Sequence, residues 1–256
     1  MKNTETDIID ILNRRSVLLE SISKYPARKR TLVDELDTSR STIDRGIRDL
    51  ETLGLVKYES GLYSLTSVGQ FIETIFFDFQ ESVTVATNLA PFLEWMDPEW
   101  FDVNLSSLRD AQVFVADSND SFGPWDWHAG TVRTTQLYRA LLPSVGREPM
   151  EIKYRTIVEN ESELDVIVSH ETAEKLQSEP LVDVFEDMLE TGRVTVYVCD
   201  EPIPYYIGIF DNVVQVGCCG NHGIPHTLLE TSAPECVTWA ENKFNSYQTR
   251  SELLSY

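Results

Sequence analysis

The chain has 256 residues, 42 acidic side chains against 21 basic ones, and a formal charge of −21. Apolar residues make up 42%, which excludes a disordered chain. At roughly 100–200 residues per domain the length predicts two domains. No apolar run reaches the ~18 residues of a spanning helix, and Met1-Lys2-Asn3-Thr4-Glu5 lacks the apolar stretch of a secretion signal. Cys199, Cys218, Cys219 and Cys236 all fall in the last quarter of the chain, too clustered for a disulfide scaffold. A reduced, cytoplasmic setting without membrane attachment is expected.

The charge is unevenly placed. Residues 1–70 hold eleven basic and eleven acidic side chains, leaving ten basic against thirty-one acidic in the rest. Only the neutral part can approach a polyanion without strong repulsion. Lysine is scarce, seven against fourteen arginines; with the acidic excess, this predicts a protein adapted to concentrated salt.

In chain order, Ile8, Ile11, Leu12, Leu18, Leu19 and Ile22 outline a first helix that ends before Pro26. Arg28-Lys29-Arg30 is a dense basic cluster. Thr31-Leu32-Val33-Asp34 has capping-box form, predicting that Thr31 caps a short helix through about Leu36. A third helix starts at Ser39 or Ser41 and buries Ile43, Ile47 and Leu50 at i, i+4 and i+7. Its other faces carry Arg40, Ser41, Thr42, Asp44, Arg45 and Arg48, and Gly54 stops it. Gly46 predicts close packing on the preceding helix, and Asp44 reads as a cytosine contact or a solvated capping partner. Strands over 55–58 and 62–65 follow, joined at Glu59-Ser60-Gly61.

A short helix, a turn and a helix with a basic face can lay that last helix in a major groove. Arg28, Lys29, Arg30, Arg40, Ser41, Thr42, Arg45, Arg48 and Lys57 are the candidate contacts to double-stranded DNA, arginine suiting guanine and Lys57 the neighbouring backbone. The stretches Leu32–Arg45, Leu50–Val56 and Tyr63–Gly69 resemble archaeal and bacterial winged-helix transcription regulators. The resemblance implies that 1–70 is a winged-helix DNA-binding domain.

From Thr66, the positions Val68, Phe71, Ile72, Ile75, Phe76 and Phe79 make an amphipathic helix with an aromatic face. It reads as a dimer seam or as core packing, and 71–104 is taken as a helical linker and dimerisation segment. A homodimer is expected because one recognition helix reads only a few base pairs.

Residues 105–256 predict an α/β effector domain with a mostly parallel sheet and a C-terminal hairpin and helix. Strands are expected over 111–116, 150–156, 164–169 and 194–199, with helices over 131–142, 171–176 and 181–191. Strands over 206–210 and 213–218 meet at Asp211-Asn212; another covers 225–230, and Pro234 opens the last helix. Asp110–Asp117, Pro204–Asp211 and the Glu230 to Glu241 ending resemble the C-terminal domain of archaeal methanogenesis-type regulators, a family expanded in haloarchaea. That resemblance implies a second domain that senses a small-molecule or protein effector. The fold implied is also phospholipase-D-like, but neither His170-Glu171-Thr172 nor His226-Thr227-Leu228 supplies the His-x-Lys motif of those enzymes.

Ligands of a parallel sheet sit beyond its carboxyl ends. Trp125, Trp127 and His128, placed in the loop after the first strand of this domain, together with Ser169, His170, Asp200 and Tyr205, are the candidate effector site. The tryptophans equally suit packing at a domain interface. The alternative function is an enzyme or metal-dependent sensor built on Cys218, Cys219, His222 and His226, whose spacing follows no common zinc pattern. No phosphate loop, nucleophile elbow or paired-carboxylate motif is present, so no catalytic residue and no cofactor are expected.

Overall fold

The computed structural model describes residues 5–116, 122–219 and 225–254. The chain divides into two compact units, Met1–Val83 and Thr84–Tyr256.

The first unit begins with α1 (Glu5–Lys24), α2 (Lys29–Glu35) and α3 (Arg40–Thr52), followed by the hairpin β1 (Val56–Glu59) and β2 (Leu62–Leu65). Helix α4 (Ser67–Asn88) leads out of it. Leu19, Ile22, Leu32, Ile43, Ile47 and Leu50 form its core, with Phe76 of α4. Of the two expected start signals for α3, Ser39 is the cap: its hydroxyl accepts from the Thr42 N–H at 3.2 Å. Helix α3 ends in a Schellman motif, with Gly54 at φ +70, Gly54 N–H donating to Glu51 O and Leu55 N–H to Leu50 O. Ser60 and Gly61, both at positive φ, make the two-residue turn of the hairpin.

Two local expectations fail here. Thr31 does not cap α2; the helix starts at Lys29, with Arg28 at the cap position and no side-chain cap bond. Gly46 packs against α1 rather than α2, and a Cβ there would meet Leu18 Cδ2 at 2.6 Å.

The second unit holds α5 (Ala90–Leu93), a 3-10 turn (Leu105–Leu108), β3 (Gln112–Val115), α6 (Gly123–Thr134), β4 (Leu137–Leu142) and α7 (Arg147–Glu159). After these come β5 (Glu163–Ser169), α8 (His170–Leu176), α9 (Val182–Glu190), β6 (Val194–Cys199), β7 (Tyr206–Phe210), β8 (Val213–Cys219), β9 (Pro225–Thr231), α10 (Pro234–Gln248) and β10 (Ser251–Leu253). One sheet runs in the order β10-β6-β5-β4-β7-β8-β9-β3.

The sheet is mixed, not mostly parallel. Among the described residues only β4–β5 and β5–β6 pair in parallel, and the other pairs of this sheet are antiparallel. The two-residue turn at Asp211-Asn212 forces β7 and β8 to run oppositely, since parallel neighbours need a long crossover. Residues 150–156, expected as a strand, lie in α7, where Met150, Lys153 and Ile157 bury one face at i, i+3 and i+7. Residues 131–142, expected as a helix, hold the end of α6 and the whole of β4. The apolar run Leu137–Leu142 reads equally as a buried helical turn or a central strand.

Strand side chains alternate between two apolar layers. Ala140, Leu142, Val166 and Val168 face the layer of α6, α7, α8 and α9. Leu141, Ile167, Ile207 and Val216 face the layer built by Phe92, Phe101 and the Cys236, Ala240 and Phe244 face of α10.

Candidate functional site

Helix α3 buries Ile43, Gly46, Ile47 and Leu50, so geometry turns Ser41, Arg45 and Arg48, at i, i+4 and i+7, to solvent. Arg40 and Thr42 are also exposed at its first turn. Among the described residues no ion pair engages Arg28, Arg40, Arg45 or Arg48. Four guanidiniums thus stand open on α3 and at the start of α2.

The other candidates are less free. Lys29 Nζ lies 2.6 Å from Asp44 Oδ1 and 5.6 Å from the Tyr63 ring centroid, tying α2 to α3 and to the hairpin. The hydrogen bond from Lys29 holds the Asp44 carboxyl below its ordinary range, opposed by partial burial and aided by the fields of Lys29, Arg40 and Arg48. Asp44 is therefore a structural partner of Lys29. Lys57 pairs with Glu59 at 2.7 Å on the hairpin, and Arg30 lies 3.8 Å from Asp34 with its side chain 93% exposed.

The seven effector candidates do not converge. Trp125, Trp127 and His128 lie in α6 rather than in a loop, because Gly123-Pro124 opens a helix there. Trp127 stacks on Phe114 of β3 with centroids 4.4 Å apart. Ser169 caps α8, accepting from Thr172 N–H at 3.3 Å. His170 Nε2 lies 2.8 Å from Asp200 Oδ1, both side chains largely exposed. Tyr205 packs on the opposite sheet face, where its hydroxyl accepts from Asp97 N–H at 2.8 Å.

Of the seven, His128 lines a small, partly open cavity of about 30 Å³ at the carboxyl end of β4. Its other polar walls are Ser144, Lys153 of α7 and Tyr206 of β7, set among apolar groups such as Val145 and Met150. His128 Nδ1 sits 2.8 Å from Gln215 Oε1. Gln215 Nε2 donates to Glu230 Oε2 at 2.7 Å, directly across the β8–β9 pair, and to Thr131 Oγ1 at 2.9 Å. The Gln215 oxygen is therefore an acceptor, so His128 carries its proton on Nδ1 and keeps the lone pair on Nε2. Burial, aided by the charge of Lys153, pushes the imidazole down to about 3, so the ring is neutral near pH 7. The Tyr206 hydroxyl reaches Tyr138 at 3.1 Å and His128 Nδ1 at 3.4 Å.

Sequence reasoning misses Gln215, Tyr206 and Lys153. Two signals in the sequence point toward them: a lone amide inside the apolar run Val213–Val216 and a lysine three residues after Met150 on the inner face of a helix.

The cysteine–histidine alternative gains little. Cys218 Sγ donates to Trp95 O at 3.3 Å, and burial pushes its thiol up to about 11. His226 packs edge-on to the Trp95 ring at 4.4 Å. Among the described residues no three metal-ligating side chains gather; the Cys219 side chain and His222 lie outside those residues.

Residues 123–250 match the family model described as the methanogenesis regulatory protein FilR1, middle domain, and residues 4–88 the one described as the HVO_A0261 N-terminal domain. No curated protein matches the chain. Among solved structures, the archaeal chromatin protein TrmBL2 is 14% identical, covering 98% of this chain and 100% of its own, with a TM-score of 0.42. The phospholipase D family member Nuc from Salmonella typhimurium is 9% identical over 57% of this chain and 99% of its own, at 0.46. NucT from Helicobacter pylori is 10% identical over 56% and 98%, at 0.43. At such scores the likenesses fix neither topology nor chemistry. Among the described residues no helix is long and apolar enough to cross a membrane. The family models together span most of the chain, which belongs to the regulators that carry the FilR1 middle domain, here behind an N-terminal domain of the HVO_A0261 type.

Proposed function

We propose that the chain is a sequence-specific DNA-binding transcription regulator, a homodimer whose second unit senses an effector. In this reading 1–70 is a winged helix-turn-helix: α3 enters the major groove and the β1–β2 hairpin is the wing. One observation carries it: Arg45 and Arg48 stand exposed on the outer face of α3 and no carboxylate of the described chain pairs with them. Free guanidiniums at one face of a recognition helix suit the paired acceptors of guanine, while Ser41, Thr42, Arg28 and Arg40 suit phosphates and base edges.

Dimerisation is inferred from α4, where Val68, Phe71, Ile75 and Phe79 are 59%, 71%, 63% and 60% exposed at helical spacing. An apolar stripe of this kind on one helix is self-complementary about a two-fold axis. The same helix gives Phe76 to the first core and Val85 to the second, so a signal in the second unit has a continuous element to travel along.

The test is selection of bound duplexes from a random library, then gel shift at fixed salt. Arg45→Ala and Arg48→Ala should each weaken the selected site by about 1–3 kcal/mol and relax the base preference. Equal binding by wild type and the double variant overturns the reading.

A further inference from the structure

We propose that the rings of Trp100 and Trp239, with the Asp102 carboxylate, form a binding site for a small quaternary ammonium ligand, which takes the place of the Lys243 ammonium. The site lies wholly within the second unit. The proposal rests on the reading of that unit as a sensor and supplies the chemistry of what it senses.

The cage follows from local structure. Trp239 and Lys243 stand four residues apart on α10 and so share one of its faces. Phe101 is anchored by edge contacts with Phe92 at 5.4 Å and Trp239 at 5.1 Å, which brings its neighbours Trp100 and Asp102 to that face. The two indoles meet at 5.5 Å and 81°, as two nearly perpendicular walls, and Tyr205 backs Trp100 at 4.9 Å. Trp239 Nε1 donates to Asp102 Oδ1 at 2.7 Å. That bond, opposed by partial burial and aided by the field of Lys243, holds the carboxyl below its ordinary range. Two π faces and a fixed negative charge are the groups that recognise an organic cation.

Distance argues for methyl groups on the nitrogen. Lys243 Nζ lies 5.2 Å from the Trp100 centroid and 5.7 Å from that of Trp239. Atoms in contact stand about 3.5–4.0 Å apart, so an ammonium resting on either ring would be roughly 1–2 Å closer. Adding a C–N bond of about 1.45 Å puts a methylated nitrogen about 5–5.5 Å from a ring that its methyl touches. Lys243 thus marks the place of the charge without filling the space around it. Its ion pair with Asp102 is 3.4 Å long, and the Asp102 side chain is 65% exposed, so the pair contributes little and weakens in salt. Apolar contact of methyl groups with indole faces keeps its strength under the same screening. Salt therefore favours exchange of Lys243 for a methylated cation.

The probe is tetramethylammonium chloride, exchanged for sodium chloride at constant ionic strength on the full-length protein, with saturation-transfer NMR read on its methyl signal. The wild type should show saturable transfer, and Lys243→Ala, which empties the cage, should bind at least fivefold more tightly. In that background Trp239→Leu should weaken binding at least fivefold, and Asp102→Asn, at an exposed position, at least threefold. Ammonium chloride should compete at least tenfold less well than the methylated ion. Absence of saturable transfer in Lys243→Ala overturns the proposal. Unchanged binding in Asp102→Asn, or equal competition by plain ammonium, overturns it as well. Mass spectrometry of the protein from its native cells separates a free ligand from methylation of the lysine itself: methyl groups on Lys243 would assign the cage to its own side chain and overturn the ligand. Gel shifts with and without saturating tetramethylammonium, against the Trp239→Leu variant in the same salt, separate this proposal from the regulator reading. Saturation with unchanged DNA affinity supports the site and removes the sensing role. No saturation with intact DNA binding removes the site and leaves the regulator standing.

Discussion

His128 Nδ1 donates to Gln215 Oε1 at 2.8 Å, and both side chains are buried, His128 to 5% and Gln215 to 0% exposure. The imidazole is pushed down to about 3, first by burial and then by Lys153, from an ordinary value of 6.5. A histidine held neutral stabilises the fold fully above its unfolded pKa, and that stability is lost as pH falls from about 6.5 toward 3. Between pH 7 and pH 5 the loss from this one group should be about 2 kcal/mol. Urea unfolding of the wild type at the two values should show it, and His128→Gln should lack that part of the pH slope. Parallel pH dependence in both proteins would mean that the ring protonates while folded.

Gly208 makes room for the same network. A Cβ at this position would collide with the Tyr206 hydroxyl and come within 2.6 Å of the Phe210 ring. Gly208→Ala should cost about 1–3 kcal/mol, the usual range for overpacking a filled core. Tyr206→Phe removes the clashing hydroxyl, so the double variant should recover about half of that loss relative to additivity. Strictly additive melting shifts would show that the two residues do not meet.

The first unit is legible in the sequence because its signals are local. Ile43, Ile47 and Leu50 mark the buried side of α3, Ser39 its start and Gly54 its stop, and each works over one or two turns. Mixed pairing in the second sheet is not legible, because β4 pairs with β7 across more than sixty residues that leave no periodic trace. Met150–Thr156 misleads for a related reason. Met150, Ile152 and Tyr154 alternate as a strand would, while the burial that decides the matter follows Met150, Lys153 and Ile157. The candidate effector set fails with the topology: it needs Tyr205 to share a site with His128, but the two lie on opposite faces of the sheet. The Gln215 amide escapes notice because one polar residue in an apolar strand carries meaning only when its cross-strand partner, Glu230, is known.

The basic cluster should not act as a unit. Arg28 is exposed with no ion pair among the described residues, whereas Lys29 is held by Asp44 at 2.6 Å. Removing one side chain that touches a phosphate lowers the slope of log affinity against log salt by about 1. Arg28→Ala should therefore reduce the slope by about 1, and Lys29→Ala by clearly less. Fluorescence anisotropy over a salt series on one duplex measures both. Equal reductions would place Lys29 at the phosphate backbone rather than on Asp44.

The α4 stripe sets the last expectation. Phe71 and Ile75 are 71% and 63% exposed, so charge there should leave the first core folded. Covering each of these side chains contributes about 1.5–3 kcal/mol in a dimer seam. Phe71→Glu together with Ile75→Glu also places like charges across a two-fold axis, which adds repulsion to the lost burial. Sedimentation equilibrium should find the wild type dimeric at micromolar concentration and the double variant monomeric, with unchanged circular dichroism. Because a dimer holds two recognition helices about one DNA turn apart, the monomer should also lose at least about tenfold in affinity for a two-half-site duplex while keeping its affinity for a single half-site. A double variant that stays dimeric would assign these exposed rings to some surface other than the seam.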